Sequence, residues 1–253
     1  MDISTNDTLI PENSGTLLID ESTSRFSGAV WYDAIKTYSI SLLGCGGINS
    51  WVALLLSRLK VARLFIYDPD TVETANMSGQ LFRSTDIRRF KVNAISDTIG
   101  EYSNYYSIYA YTFAFTETSD IQDIVVCGFD NMIARETAFN AWLIHMECCC
   151  VGDKSKCLFI DGRLSADEFQ VFAIQGNDSR AIEEYKNNWL FADSQAEATV
   201  CSFKQTTYMA TMIASVMVNI FVNFVANLVD EVPREVPFFT RYSSDNMFFK
   251  LEM

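Results

Sequence analysis

Apolar and polar positions along this chain fall into blocks whose period switches between that of a buried strand and that of a helix. In the first half, short apolar runs alternate with longer stretches at helical spacing. The pattern predicts a short helix closing at Ala34–Thr37, a strand at Ser39–Leu43, a helix at Ile48–Lys60 and a strand at Arg63–Tyr67. Thr71–Phe82 is polar and without period, so it reads as an ordered loop. Asp86 reads as the N-cap of a helix over Ile87–Ile99. A strand at Ser107–Phe113, a buried strand at Ile124–Cys127 and a helix at Met132–His145 follow. Strand-to-helix repetition of this kind predicts a mostly parallel, Rossmann-like α/β sheet with helices on both faces.

The second half changes rhythm. Leu158–Ile160 leads into Asp161-Gly162-Arg163, and Phe169–Gln175 alternates cleanly, which predicts antiparallel strands. Asp178–Asn187 reads as a charged surface helix and Ser194–Ser202 as a crossing loop. Lys204–Val229 reads as one long, nearly all-apolar helix, and 237–251 as a terminal β-hairpin around Ser243-Ser244-Asp245-Asn246. A membrane span is the sharp alternative for the long helix. Asn219, Asn223 and Asn227 on one stripe, with Gln205-Thr206-Thr207 at its start, speak against lipid, where each amide would need a partner. A central or dimer-interface helix is the expectation. Residues 1–24 read as an N-terminal arm, and 25–253 as a single domain with a nucleotide-binding half near 38–150 and a partner-binding half near 151–253.

Charge narrows the partners. A formal net charge of −13 excludes nucleic acid as the expected partner, because phosphate neutralisation needs clustered Lys and Arg. The seven cysteines include no C-x-x-C pair, so no structural zinc is expected, and the adjacent Cys148-Cys149-Cys150 do not make a disulfide framework. The first twenty residues are acidic and polar without a signal pattern, and a cytoplasmic location is expected.

Candidate chemistry centres on the first strand–turn–helix–strand. Gly44-Cys45-Gly46-Gly47-Ile48-Asn49 is a glycine-dense turn, with Asn49 where a third glycine would stand in G-x-G-x-x-G. Glycine lets backbone turn sharply and approach a phosphate, which the helix N-terminus then holds. Asp68 ends the next strand 24 residues after Gly44, near the spacing of about 20 for a ribose-binding acid. On these residues alone a nucleotide site and a plain turn both stay open.

Four blocks in order, Gly44-x-Gly46-Gly47-x-Asn49, Asp68-x-Asp70-x-Val72 with Asn76 and Gln80, Asp86-Ile87 with Lys91, and Cys127-x-x-Asp130-Asn131 with Arg135, resemble the ThiF/MoeB/HesA adenylyltransferases, whose fold is shared with ubiquitin-activating enzymes. The resemblance runs from Arg25 to the end of the chain. It implies ATP-dependent adenylation of the C-terminal glycine carboxylate of a ubiquitin-like or sulfur-carrier protein by a homodimer. By the same resemblance Gly44, Gly46 and Gly47 approach ATP, Asp68 holds the ribose, and Asn49, Asp70 and Asn131 are further ATP-binding positions. Asn76, Gln80 and Lys91 line the phosphates, and Asp130 holds Mg2+. Cys201, in the crossing loop, is either a nucleophile that takes over the activated partner or a buried structural thiol.

Three departures from the family pattern stand out. Gly79 occupies the position of a phosphate-binding arginine, with Arg83 as the candidate substitute. The arginine reaching into a neighbouring protomer is displaced, leaving Arg25 as its candidate. The zinc-binding cysteine pairs are missing. The chief alternative is therefore a catalytically weak relative that binds nucleotide or protein. A nicotinamide-dependent oxidoreductase explains neither Lys91 nor Asp130. His145, the sole histidine, is assigned no chemistry.

Overall fold

The computed structural model describes residues 20–148, 153–192 and 205–253. Eight strands form one sheet in the order β3-β2-β1-β4-β5-β6-β7-β8. They are β1 (Ser39–Leu43), β2 (Arg63–Tyr67), β3 (Ile108–Tyr111), β4 (Ile124–Cys127), β5 (Leu158–Leu164), β6 (Glu168–Gln175), β7 (Phe239–Ser243) and β8 (Phe248–Glu252). The helices are α1 (Tyr32–Ile35), α2 (Asn49–Arg58), α3 (Lys91–Ser103), α4 (Met132–Cys148), α5 (Ser179–Glu184) and α6 (Thr207–Asn227). β3 through β5 pair in parallel, and β5 through β8 pair antiparallel. The expected parallel core with an antiparallel continuation is the observed fold.

Each face of the sheet buries its own set of helices. Ile40, Leu42, Leu64 and Ile66 point to one side, where α2, α3 and α6 supply Val52, Leu56, Ile95, Ile213 and Phe221. Leu43, Val125 and Phe159 point to the other, against Phe139 and Trp142 of α4 and the fully buried Tyr185. β1, β2 and β4, inside the parallel half, are buried on both faces, so they read as apolar runs, whereas the edge strand β3 is largely exposed.

α6 is long and apolar enough to cross a membrane by length and composition, yet it packs along α2, β5 and β6 of its own chain. Most of its apolar residues are core. Of the amide stripe, Asn223 Nδ2 donates to the Glu235 carbonyl and Asn227 Nδ2 to that of Arg234, tying down the chain that returns to β7.

Two expected elements are corrected. The helix expected at Ile87–Ile99 begins at Lys91. Residues 88–91 instead lie antiparallel to 70–72, with Arg88 N–H on the Val72 carbonyl, Val72 N–H on that of Arg89 and Lys91 N–H on that of Asp70. Arg88 takes a left-handed φ of 74° to make that bend, which no helix accommodates. Asp86 is thus no N-cap of α3; it closes a 3₁₀ turn at Ser84–Asp86. The surface helix expected at Asp178–Asn187 splits into α5, capped by the Asp178 carboxylate on Ala181 N–H, and a π turn at Tyr185–Trp189. Tyr185 turns inward there, donating its hydroxyl to buried Asp161 at 2.9 Å.

Candidate active site at the carboxyl edge of the sheet

The chain crosses from β1 toward β2 and β3 on one side, and from β4 toward β5 on the other. Between β1 and β4 the order reverses, which opens a crevice at their carboxyl ends. The glycine turn lies there. Gly44 has φ +80°, the left-handed region that a side chain strains, and a Cβ on it would press on Phe129 and the Gly128 carbonyl. Over Gly46 the space is open: the nearest atom to a Cβ there would be Gln80 Nε2, 3.9 Å away. That opening is the cradle a phosphate needs.

Asp68 organises the turn. It is buried, with one carboxylate oxygen accepting from Cys45 N–H at 2.7 Å and the other from Asp70 N–H at 2.8 Å. Burial raises its pKa above the ordinary aspartate value, although Lys91 and the two backbone bonds pull the other way. Each oxygen keeps a further lone pair for a ribose hydroxyl. The Cys45 thiol is pushed well up by burial and by Asp68, so it stays protonated and is no nucleophile.

Lys91 opens α3 and is buried along its stem, with Nζ 2.8 Å from Asp70 Oδ2. Burial alone would lower its pKa. The bond to Asp70 and the charges of Asp68 and Asp70 override that, and the ammonium stays fully charged. The short antiparallel bridge that displaced the start of α3 is what carries Lys91 to Asp70. An isolated lysine on a solvated helix face would show neither burial nor a fixed partner.

Asn49 is buried, and both hydrogens of its amide are used on the carbonyls of Leu43 and Val126, the ends of β1 and β4. It staples the two strands where they part, and its Oδ1 is left buried without a hydrogen-bond partner. Gln80 Oε1 is likewise buried and without one. The loop carrying Gln80 is clamped to α2 by Leu81 N–H on Ser50 Oγ (3.1 Å) and Trp51 Nε1 on the Gly79 carbonyl (2.9 Å). Asn76 Oδ1 accepts from Glu73 N–H, so this side chain ties down its own 3₁₀ turn.

On the far wall, Gly128 N–H bonds the Leu43 carbonyl, which sets the β4 turn against the glycine turn. Asp130 and Asn131 are exposed on its rim, and Asn131 Oδ1 caps Ala134 N–H at 2.8 Å. Arg135 is buried behind them. Its guanidinium grips Asp161 and the carbonyls of Phe129 and Gly162, bracing the ends of β4 and β5.

The other sequence candidates lie elsewhere. Arg83, the expected substitute for the missing arginine, is not brought to the crevice. Its guanidinium is held by Asp86 and, through 2.6 and 2.7 Å bonds, by Glu101. Glu101 sits ten residues beyond Lys91 on α3, about 15 Å along the helix, so Arg83 points toward the opposite edge. Arg25 is exposed, just after the turn whose Asp20 pairs with Lys60 beyond the end of α2, remote from its own glycine turn. Cys201 lies outside the described residues. His145, to which the sequence assigned no chemistry, sits 2.8 Å from Asp123, before β4 at the amino edge of the sheet.

One residue at the crevice was passed over by sequence reasoning. Gln205, just before α6, lays its side chain across Gly47 and Gly79. Its only signal was the polar triplet at the head of an apolar helix.

Fold and site together define a Rossmann-like α/β protein with a glycine turn at the topological switch point and an antiparallel extension. The chain belongs to the ThiF family, whose sequence profile matches residues 19–252. It is similar to ubiquitin-like modifier-activating enzyme 5 of Oryza sativa subsp. japonica, with 41% identity over 68 residues, and to that of Bombyx mori, with 30% over 120 residues. These stretches cover 27% and 41% of this chain but only 16% and 30% of those proteins. Among solved structures it resembles PaaA (TM-score 0.70, 17% identity, covering 96% of this chain and 77% of that one). It also resembles E. coli MccB crystallised with ATP (TM-score 0.64, 15% identity, covering 88% and 65%).

Proposed function

We propose that this protein is an ATP-dependent adenylyltransferase that activates a carboxyl terminus, the substrate being a ubiquitin-like or sulfur-carrier protein that ends in glycine. The observation that carries the reading is convergence. The glycine turn, Asp68, the Lys91–Asp70 pair and Asp130 come from four separate sequence blocks, and all meet at the carboxyl edge around the β1/β4 crevice. Membership of the ThiF family supports the same chemistry. The ATP held by MccB supports the nucleotide.

In the reaction a carboxylate oxygen of the substrate attacks the α-phosphorus of ATP. A new P–O bond forms, the bond to the bridging oxygen breaks, and pyrophosphate leaves, so that an acyl adenylate remains. Negative charge builds on the phosphoryl oxygens, and fixed positive groups stabilise it. The N–H groups of the glycine turn and the Lys91 ammonium are those groups in this chain. Asp68 fixes the ribose and so sets where the α-phosphate lies. One exposed carboxylate, Asp130, with Asn131 beside it suits Mg2+, which takes one or two carboxylates together with phosphate oxygens and water. A bound Mg2+ would supply charge neutralisation at the leaving pyrophosphate. If Cys201 acts, its thiolate attacks the acyl carbonyl, AMP departs, and a thioester results. Arg25, exposed and far from its own crevice, suits donation to a second copy in a homodimer.

The test is ATP–pyrophosphate exchange with small candidate carriers ending in glycine. Exchange that disappears in Asp130→Ala and Lys91→Ala supports the enzyme. Gly79 and the engagement of Arg83 with Asp86 favour one alternative, a relative that binds nucleotide without turnover. Tight ATP binding with no exchange across the carriers would select it.

A further inference from the structure

The phosphate end of the crevice has a wall that comes from the opposite half of the chain. Thr207 Oγ1 donates to the Ser78 carbonyl at 2.8 Å, which docks the start of α6 onto the loop of Asn76, Gly79 and Gln80, and Thr206 Oγ1 donates to that of Ala166, between β5 and β6, at 3.0 Å. Gln205 precedes this anchor. Its Oε1 fills the place a Cβ on Gly47 would take, and its Cγ and Cδ lie 2.9 Å from where a Cβ on Gly79 would be. Gly79 is buried beneath it, held by Trp51. A side chain at position 79 would displace this glutamine from where it lies. Of the two amides on this side of the turn, Gln80 faces the open space above Gly46 and Gln205 lies over the next residue, Gly47, and position 79 supplies no cation.

We propose that Gln205 is a binding residue for the β- and γ-phosphates of ATP, delivered from the head of α6 through the gap that Gly79 leaves. The inference rests on the adenylation reading and assigns its phosphate end. The geometry makes the contact inexpensive. Rotating the terminal amide by half a turn exchanges Oε1 for Nε2 with no movement of the stem, and turns an acceptor into a donor toward an anion over the glycine turn. The stem already lies across two glycines, so reaching the phosphate end needs no new rotamer of the stem. A neutral donor holds the phosphates without adding charge, which leaves Lys91 as the cation of this end of the site.

The test is calorimetric titration of the full chain with ATP and with AMP, both with magnesium chloride, for wild type, Gln205→Ala and Gln205→Glu. Thermal unfolding of each variant verifies that it is folded. A hydrogen bond to a charged group is worth roughly tenfold or more in affinity. Gln205→Ala should therefore weaken ATP about tenfold and leave AMP within about twofold, and Gln205→Glu should weaken ATP further, because it sets a carboxylate against phosphate. Equal loss for ATP and AMP would overturn the assignment, as would unchanged ATP affinity. Tighter ATP binding in Gln205→Ala would overturn it too, since the side chain would then be an obstruction. Wild type that binds neither nucleotide would sink the adenylation reading itself, an outcome distinct from the others.

Discussion

Arg83→Ala separates a phosphate ligand from a structural clasp. The Asp86 carboxylate is fully buried and accepts four bonds: Arg83 N–H at 2.9 Å, Arg83 Nε and Nη2 at 3.1 Å each, and Arg89 Nη1 at 2.9 Å. Leaving a buried charge wholly without its partner costs about 3–5 kcal/mol. Truncation at 83 removes two of the four bonds while the backbone amide and Arg89 remain, so roughly half of that loss, ~2 kcal/mol, is expected. The exposed pair with Glu101 adds at most about 1 kcal/mol. For a chain of this size ~2 kcal/mol corresponds to about 4–8 °C in Tm. Burial pushes the Asp86 pKa up, but the bonds and charge of Arg83, with help from Arg89, bring it below the ordinary value. Its contribution is therefore present above the unfolded-state pKa of 3.8 and disappears as pH falls through the lower folded value. In Arg83→Ala that folded value moves up, so the loss on acidification begins at higher pH. Urea denaturation across acidic pH, followed by circular dichroism, measures both effects, and calorimetry with ATP completes the comparison. A variant with wild-type stability and a tenfold loss of ATP affinity would refute the clasp and return Arg83 to the phosphates.

Two further outcomes follow from the same site. If ionised Asp68 holds the ribose, ATP affinity falls as pH drops through the Asp68 pKa, already above its ordinary value because of burial; Lys91→Ala removes the cation that opposes this rise, so the acidic limb of the affinity profile should move to higher pH, and a shift to lower pH would refute the coupling. Gly128→Ala places a Cβ 3.0 Å from the Asn49 amide, which two strand-end carbonyls prevent from yielding, so a loss of about 1–3 kcal/mol in a denaturation curve is expected and a neutral result would show that the staple can move.

The parallel half was legible because its signals are local. Strands β1, β2 and β4 are apolar runs ended by glycine or aspartate, and β1 and β2 appear where the pattern put their ends. The start of α3 was not legible. Residues 87–90 carry no helix breaker, and only pairing of 88–91 with 70–72, a contact between distant positions, holds them out of the helix. Arg83 misled for a related reason: sequence distance to Gly79 suggested the crevice, whereas its direction is set by Asp86 and Glu101. Gln205 sits 126 residues after Gly79, and no spacing rule connects a pair brought together by α6 lying across the sheet.

Two departures, Asn49 from the general G-x-G-x-x-G turn and Gly79 from the family pattern, become intelligible as pairs. Where a third glycine is expected, Asn49 occupies the turn, and the room for its amide comes from Gly128 on the neighbouring strand end, where any side chain would collide with it. Where an arginine is expected, Gly79 leaves a gap, and Gln205 fills it from the far half of the chain. In each case a side chain absent from one wall of the crevice is matched by a side chain present on the other. A site that was simply decaying would lose side chains without such replacement and leave cavities, each lowering stability through lost contacts. Here Gln205 occupies the space beside Gly79, and the chemistry at that position shifts from a cation to an amide. That pattern favours a crevice still shaped around a ligand, with the burden of positive charge moved onto Lys91.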